Sequence, residues 1–361
     1  MKNRFFYFPF LIAITVIFII CSLFSGCYTL TQGITMLGYL SRAVPLEQLD
    51  DDTFVSLVMD IRSFASEYLG LAESKNYTKY VELDRSFLAS VVSASAKDSF
   101  TRYEWNYPVV GRMPYKGFFD LKGAQKERDR LERKDLDVWI RSVDAFSTLG
   151  WFNDPLYSYM RNYSPDRLAE LIIHEQVHAT VFFRGQVQFN EELAQFIGSE
   201  GARLYMEMRY GLNSDEYRKM LVSEIDSRSY IAFLQELIEE LDVLYAAGNP
   251  SHNRSGSSSV TGHSGREEIL MEKEKIIYAA KVRFDAEYDE RFLSDNFRGF
   301  TRLPVNNAYL DLFRLYYDED NFYIDLYERS GSNLPAFIAA AKTLNAKSGD
   351  FRNQLENALL Q

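Results

Sequence analysis

The sequence predicts an α+β fold that is mainly helical, with a small mixed or antiparallel β-sheet ahead of a long helical half. Strand-like segments rich in Val, Ser and aromatic residues are confined to a window between residues 86 and 150. Apolar residues recur at helical spacing before that window and again after residue 164. A run of strands followed by a run of helices is typical of the α+β class.

The N-terminal part, 28–150, supplies the first helices and the whole sheet. Periodic apolar residues predict helices at 31–40 and 53–71, and a charged helix at 122–134. Alternating β-branched and aromatic residues predict strands, which cover 91–95, 99–105, 137–143 and 145–151.

Two helices are predicted next, within 164–210. The first helix is predicted to begin at Ser164, which suits the N-cap. Pro165 suits the first helical position, and Asp166 suits the first turn, where acids are favoured. Arg184-Gly185 indicates a turn after this helix. Asn190 then suits the N-cap of the second helix.

The C-terminal part, 211–361, is predicted to be helical throughout, and we treat 27–361 as one domain. Long amphipathic helices are expected at 215–247 and 265–288, with a closing helix at 335–342. The segment 248–265 is rich in Ser and Gly, which predicts a flexible loop. Its two histidines, His252 and His263, are interpreted as solvated loop residues rather than metal ligands.

Two of the four histidines in the chain form an H-E-x-x-H motif made of His174, Glu175 and His178. Residues four apart share one face of a helix, so the two imidazoles can bind one zinc ion. The glutamate beside the first histidine is then placed to act as a general base on water. The motif therefore predicts hydrolysis assisted by Zn²⁺.

A catalytic zinc site needs a third protein ligand and one open position. Glu191, on the first turn of the next predicted helix, is the favoured third ligand, because an antiparallel second helix returns it to the histidine face. Glu192 is the rival, since it points about 100° away around the same helix.

The pairing of His174-Glu175-x-x-His178 with Asn190-Glu191-x-x-Ala194 resembles the gluzincins, metallopeptidases with a glutamate as third ligand. Further segments resemble a bacterial family of predicted aminopeptidases that are anchored as lipoproteins. The similarity runs from about residue 26 to about 345, is interrupted near 248–265, and rests on the segments 26–33, 107–119, 147–155 and 306–308.

The resemblance implies zinc on His174, His178 and Glu191, with Glu175 as general base in an aminopeptidase of zincin-like fold. In zincins an edge strand above the active-site helix pairs with the substrate backbone, and 145–151 is the expected strand. Many gluzincins carry an acid four residues after the ligand glutamate. This chain has Gln195 there, so another group must orient the zinc histidine.

Three further residues are singled out for roles in catalysis. Members of this clan often use a tyrosine or histidine to stabilise the oxyanion, and Tyr309 and Tyr115 are the tyrosines proposed for it. An aminopeptidase must also hold the ammonium group of its substrate, for which Asp154 is the first residue to test.

The N-terminus reads as a lipoprotein signal peptide over residues 1–26. Basic residues precede a long apolar run at 5–24, and small residues precede Cys27, the expected lipidation site. The run is also long enough to remain as an uncleaved membrane anchor. Both alternatives predict a catalytic domain outside the cytoplasm in the bacterial cell envelope, on the periplasmic or extracellular side.

Composition excludes several functional classes. The only cysteines are Cys21, inside the apolar run, and Cys27, so the mature chain offers no intrachain disulfide and no catalytic thiol. A net charge of −11 and the lack of a basic patch or Gly-rich phosphate loop argue against nucleic-acid binding.

The predicted function is therefore a membrane-anchored zinc aminopeptidase that acts on peptides. An endopeptidase or carboxypeptidase built on the same site is one alternative, because exopeptidase action depends on how one end of the cleft is closed. The other is a degenerate or structural zinc lipoprotein that acts as a binding module.

Overall fold

A computed structural model describes residues 35–107, 111–143, 154–248, 262–314, 322–346 and 349–360. Within these ranges the chain is mainly helical with small sheets, which confirms the predicted fold class. No helix in the same ranges is long and apolar enough to cross a bilayer. The N-terminal apolar run with Cys27, the predicted strand 145–151 and most of the predicted loop 248–265 lie outside the described residues.

The first complete helix, α1 (Asp52–Ser63), continues into one π-helical turn, Phe64–Tyr68, so the predicted helix over 53–71 is largely confirmed. The side chain of Asp51 caps α1 by accepting a hydrogen bond from the backbone N–H of Phe54 at 3.1 Å. The buried side chains of α1 face the main core.

Eight short strands are found among the described residues. They are β1 (Val44–Pro45), β2 (Lys79–Val81), β3 (Ala89–Ala96), β4 (Trp105–Tyr107), β5 (Gly111–Met113), β6 (Tyr115–Phe118), β7 (Leu136–Val143) and β8 (Leu156–Tyr157). The order β6-β3-β7 forms an antiparallel sheet, and β4 pairs with β5. In the third sheet, β1-β2-β8, strands β2 and β8 run parallel.

The predicted strand over 99–105 is wrong for most of its length. After β3 the chain turns back on itself, because the hydroxyl of Ser95 donates to the carbonyl oxygens of Ser99 and Thr101 at 3.3 and 3.2 Å. Only an isolated bridge at Arg102 and strand β4 follow.

The remaining helices are α2 (Leu121–Glu132), α3 (Pro165–Thr180), α4 (Val187–Tyr210), α5 (Asp215–Gly248), α6 (Gly262–Ala286), α7 (Tyr288–Arg291), α8 (Asn307–Arg314), α9 (Phe322–Arg329), α10 (Leu334–Ala341) and α11 (Phe351–Leu360). The individually predicted helices agree with the structure to within a few residues, except at the start of α4. The helix predicted to close the fold is followed by a further helix, α11. The main core packs α1, α3, α4 and α10 together, and a second, aromatic-rich cluster joins α5, α6 and α8.

Asn307 connects the helical half to the sheet. Its side chain is fully buried, and its amide donates to the carbonyl oxygens of Ala96, Lys97 and Ser99 in the turn after β3. Its amide oxygen accepts from the hydroxyl of Tyr245 on α5 at 2.8 Å. This segment, one of those that carried the family resemblance, therefore holds α8 in place against β3.

Candidate functional site

Helix α3 presents the H-E-x-x-H residues along one partly exposed edge. It begins as predicted, with Ser164 in extended backbone at the N-cap and Pro165 at the first helical position. One side of the helix is fully buried in the main core, and this burial fixes its rotation. His174, Glu175 and His178 are each only partly exposed.

The two histidines point the same nitrogen toward a common centre. The Nε2 atoms of His174 and His178 lie 3.1 Å apart. The carboxylate of Glu191 closes a triangle with them, at 3.6 Å from Nε2 of His174 and 3.5 Å from Nε2 of His178. The structure therefore brings together the three residues expected to be metal ligands.

Helix α4 starts earlier than the sequence predicted, at Val187 rather than after Asn190. Asn190 is wrong as an N-cap because its side chain makes a tertiary contact instead. Its Oδ1 accepts from the backbone N–H of Phe183 at 2.9 Å, and its Nδ2 donates to the carbonyl of Phe183 at 2.8 Å. The turn between the helices passes through Gly185 in the left-handed region (φ 81°), as the turn signal predicted.

Glu191 and Glu192 have different partners. Glu191 faces the histidines, whereas the carboxylate of Glu192 accepts from Arg352 at 2.8 Å and from Gln188 at 2.9 Å. Adjacent residues on a helix point about 100° apart, so only one of the two can face α3. The geometry favours Glu191, and Glu192 connects α4 to the C-terminal helix α11.

Gly198 allows α3 and α4 to approach closely behind the triangle. A Cβ atom placed there would lie 3.2 Å from both the carbonyl oxygen of Glu170 and the Cβ of His174. Even alanine would therefore press on the backbone that carries the first histidine. Close contact between the helices is what brings Glu191 within reach of α3.

The electrostatics of the triangle suit a cation. Hydrogen bonding to His174 and His178 holds the pKa of the Glu191 carboxyl well below its usual range. Burial would lower the pKa of His178, but Glu191 and Glu175 together raise it above its ordinary value. Negative charge therefore surrounds the imidazoles, and a positive charge between them is stabilised.

Glu175 is in an environment that makes its carboxylate a stronger base. Burial raises the pKa of its carboxyl above the usual range, although the charges of His174 and His178 oppose that shift. A carboxylate with a raised pKa takes up a proton more readily near neutral pH.

Orientation of the histidines does not come from Gln195. Its amide donates to the carboxylate of Glu170 at 2.7 Å instead. The Nδ1 atom of His178 is buried, and no described residue forms a hydrogen bond with it. Gln195 therefore contacts Glu170, and a different group must orient the histidines, as the sequence predicted.

The donor set suits zinc. Bonds of about 2.0–2.1 Å in a tetrahedral arrangement place ligand atoms about 3.3 Å apart. The two Nε2 atoms lie 3.1 Å apart, and each lies within 3.6 Å of a different oxygen of the Glu191 carboxylate. Two imidazole nitrogens and one carboxylate oxygen are a known catalytic zinc set that leaves one position open. Among the described residues this is the only group of three or more His, Cys, Asp or Glu side chains arranged to hold a metal ion.

Within the described part of the chain, neither tyrosine proposed for the oxyanion forms a hydrogen bond with His174, His178 or Glu191. The hydroxyl of Tyr309 shares a short hydrogen bond with Tyr230 in the aromatic-rich second cluster. Tyr115 is at the start of β6, with 40% of its surface exposed. The structure brings neither hydroxyl into the group formed by the two histidines and Glu191.

Asp154 interacts electrostatically with Glu175, and a second residue there was missed from the sequence. Burial, and then the charge of Glu175, raise the pKa of Asp154 to about 7. Tyr77, just before β2, interacts electrostatically with both carboxylates. Its backbone N–H donates to the carbonyl of Asp154 at 2.7 Å, a contact between distant segments that no local pattern signals.

Comparison with protein families gives a match over most of the chain. A family model described as "Putative aminopeptidase" matches residues 48–355, which include every residue of the triangle, Glu175, Asp154 and Tyr77. No curated protein and no solved structure matches the chain.

Proposed function

The chain belongs to the putative aminopeptidase family, and from this membership we propose that it is a zinc metallopeptidase that removes N-terminal residues from peptides. The observation that carries the zinc assignment is the convergence of two Nε2 atoms and the Glu191 carboxylate, within 4.8 Å of one another. Glu175, next in sequence to the first histidine, adds the base that such a centre needs.

In this proposal His174, His178 and Glu191 hold the zinc ion. The ion supplies Lewis-acid chemistry, lowering the pKa of water toward about 7 and polarising a carbonyl. Glu175 removes a proton from the attacking water and then delivers it to the leaving amine. Because Glu175 is partly buried, its carboxylate is shielded from bulk water, which strengthens this proton transfer.

An assay with matched peptides tests metal dependence and end specificity together. Purified protein is given fluorogenic peptides of equal sequence, with free or acetylated N-termini, before and after treatment with a chelator. We expect hydrolysis of the free peptides, loss of that hydrolysis with the chelator, and recovery on adding Zn²⁺.

The other outcomes separate the rival functions. Equal cleavage of acetylated peptides at internal bonds would identify an endopeptidase, and release from the C-terminus a carboxypeptidase. Zinc binding with no hydrolysis of any peptide would favour a binding module and contradict the proposed activity.

We also propose that the protein is attached to a membrane of the cell envelope through lipid on Cys27. The support is the sequence alone: a basic start, the apolar run 5–24 and small residues before the cysteine. Metabolic labelling with a fatty acid should mark the wild type, and Cys27→Ser should abolish the label. A labelled Cys27→Ser variant would contradict lipidation at this position.

A further inference from the structure

The loop that precedes β2 is fastened to the residue that precedes β8, beside the general base. The backbone N–H of Tyr77 donates to the carbonyl of Asp154 at 2.7 Å. The side-chain oxygen of Asn76 accepts from the backbone N–H of Asp154 at 3.1 Å. Two hydrogen bonds in opposite directions thus fix Tyr77 and Asp154 relative to each other.

Further hydrogen bonds attach the same loop to helices α1 and α3. The guanidinium of Arg62 on α1 donates to the carbonyl oxygen of Ser74 at 2.8 Å and also to the carbonyl oxygen of Asn76. The backbone N–H of Ala72 donates to the hydroxyl of Thr180 at 2.8 Å, at the end of α3. The loop is therefore a rigid part of the site and is tied to the helix that carries Glu175.

Tyr77 has an unusual conformation for a bulky residue. Its φ of 59° lies in the left-handed region, which costs free energy for any residue with a Cβ. Only 3% of Tyr77 is exposed, yet among the described residues none forms a hydrogen bond with its hydroxyl. Burial, and then the charges of Glu175 and Asp154, raise the pKa of this phenol, so both carboxylates interact electrostatically with it.

Asp154 differs from three other buried or partly buried acids, whose carboxylates all have partners. The fully buried carboxylate of Asp226 accepts from the backbone N–H groups of Leu293 and Ser294 and from the Ser294 hydroxyl. Asp137 pairs with Lys273, and Glu127 pairs with Arg130 at 2.7 Å. No described Lys or Arg forms an ion pair with Asp154, and within the described part of the chain only its backbone forms hydrogen bonds. A partly buried carboxylate without a cation, near a second carboxylate, favours the binding of a positively charged group.

We propose that the carboxylate of Asp154 and the hydroxyl of Tyr77 bind the protonated α-amine of the substrate, and that this pair confines hydrolysis to peptides with a free N-terminus. The inference rests on the proposed peptidase function and assigns its end specificity to two residues. An ammonium group has three N–H donors, and Asp154 and Tyr77 together offer three acceptor oxygens, two from the carboxylate and one from the hydroxyl. With the amine held there, the first carbonyl of the peptide lies next to Glu175.

The test compares Asp154→Asn and Tyr77→Phe with the wild type, using an alanyl fluorogenic peptide and its N-acetylated form. Losing one charge-assisted hydrogen bond should lower kcat/KM for the free peptide by about 10–100-fold in Asp154→Asn, mainly through KM. Losing a neutral hydroxyl should cost about 3–10-fold in Tyr77→Phe. Cleavage of the acetylated peptide should not fall. The ratio of kcat/KM for the free peptide to kcat/KM for the acetylated peptide should therefore decrease in both variants.

The matched controls are Asp84→Asn and Tyr278→Phe, which alter an exposed acid and an exposed tyrosine away from this wall. Both should keep the wild-type preference. General damage to the fold would lower hydrolysis of both peptides alike, whereas the proposal requires a selective loss on the free peptide.

A binding measurement keeps the inference separate from the peptidase activity. Alanine hydroxamate and N-acetylalanine hydroxamate are titrated calorimetrically into zinc-loaded protein. Asp154→Asn should weaken binding of the free-amine compound alone. A variant that retains the wild-type preference for the free amine overturns the inference while leaving the peptidase assignment intact. Failure of the wild type to hydrolyse any peptide contradicts the proposed function. In that case the difference in hydroxamate binding between the wild type and Asp154→Asn still tests whether Asp154 binds an amine.

Discussion

Replacing Glu175 with glutamine will abolish peptide hydrolysis and leave the metal bound. Glutamine has nearly the same size as glutamate, but its amide cannot accept a proton from water. General-base catalysis contributes about 10²–10⁴-fold to rate, so we expect kcat to fall by at least about 10³-fold. Glu175 is not part of the triangle of His174, His178 and Glu191, so zinc content should stay near that of the wild type.

The measurement pairs kcat on a free N-terminal peptide with zinc per chain from mass spectrometry. Glu170→Gln is the matched control, because Glu170 lies on the same helix and its carboxylate contacts Gln195 rather than the histidines. It should retain nearly full activity. Turnover by Glu175→Gln close to the wild-type rate, with zinc bound, would rule out Glu175 as the base.

The sequence predicted best those features that depend only on residues close together in the chain. His174 and His178 are four residues apart on a helix whose start was readable from Ser164 and Pro165, so their shared face follows from helix geometry alone. The turn at Gly185 was also readable, because glycine adopts the left-handed backbone at little cost. Such features need no knowledge of distant segments.

Errors arose where a side chain has a tertiary partner. Asn190 matched an N-cap signal, but its amide is used to hold Phe183, and α4 begins a turn earlier. The preference for Glu191 over Glu192, by contrast, agrees with the structure, in which Glu192 pairs with Arg352 far along the chain. Local propensity is a weak guide when a residue forms bonds between elements.

Residues that reach the site through strand pairing were the hardest to find. The parallel pairing of β2 with β8 joins segments far apart in sequence and brings Tyr77 to Asp154. Both residues interact electrostatically with Glu175. Tyr309, by contrast, was singled out because it follows Asn307, and that segment proves to have a structural role at β3. A motif that carries a family resemblance can therefore reflect packing between halves of the fold.

Removing one ligand of the triangle will empty the metal centre. In His178→Ala one of two imidazole donors is lost and the remaining two groups are too few to hold zinc through dialysis. Loss of a group that merely supports a ligand weakens metal binding by about 10–100-fold, and loss of a ligand itself should exceed that. We expect zinc to fall from about one ion per chain to less than about 0.1, with activity falling in parallel.

The neighbouring glutamates supply the matched pair that makes this test specific. Glu191→Gln should lose zinc, because a neutral amide replaces the carboxylate that faces both Nε2 atoms. Glu192→Gln should keep it and lose at most about 1 kcal/mol of stability, since its partly exposed pair with Arg352 contributes little. Circular dichroism checks that all variants are folded. Full zinc occupancy in His178→Ala would contradict the ligand set. Equal loss of zinc in both glutamine variants would also contradict it, because helix geometry lets only one of two adjacent carboxylates face α3.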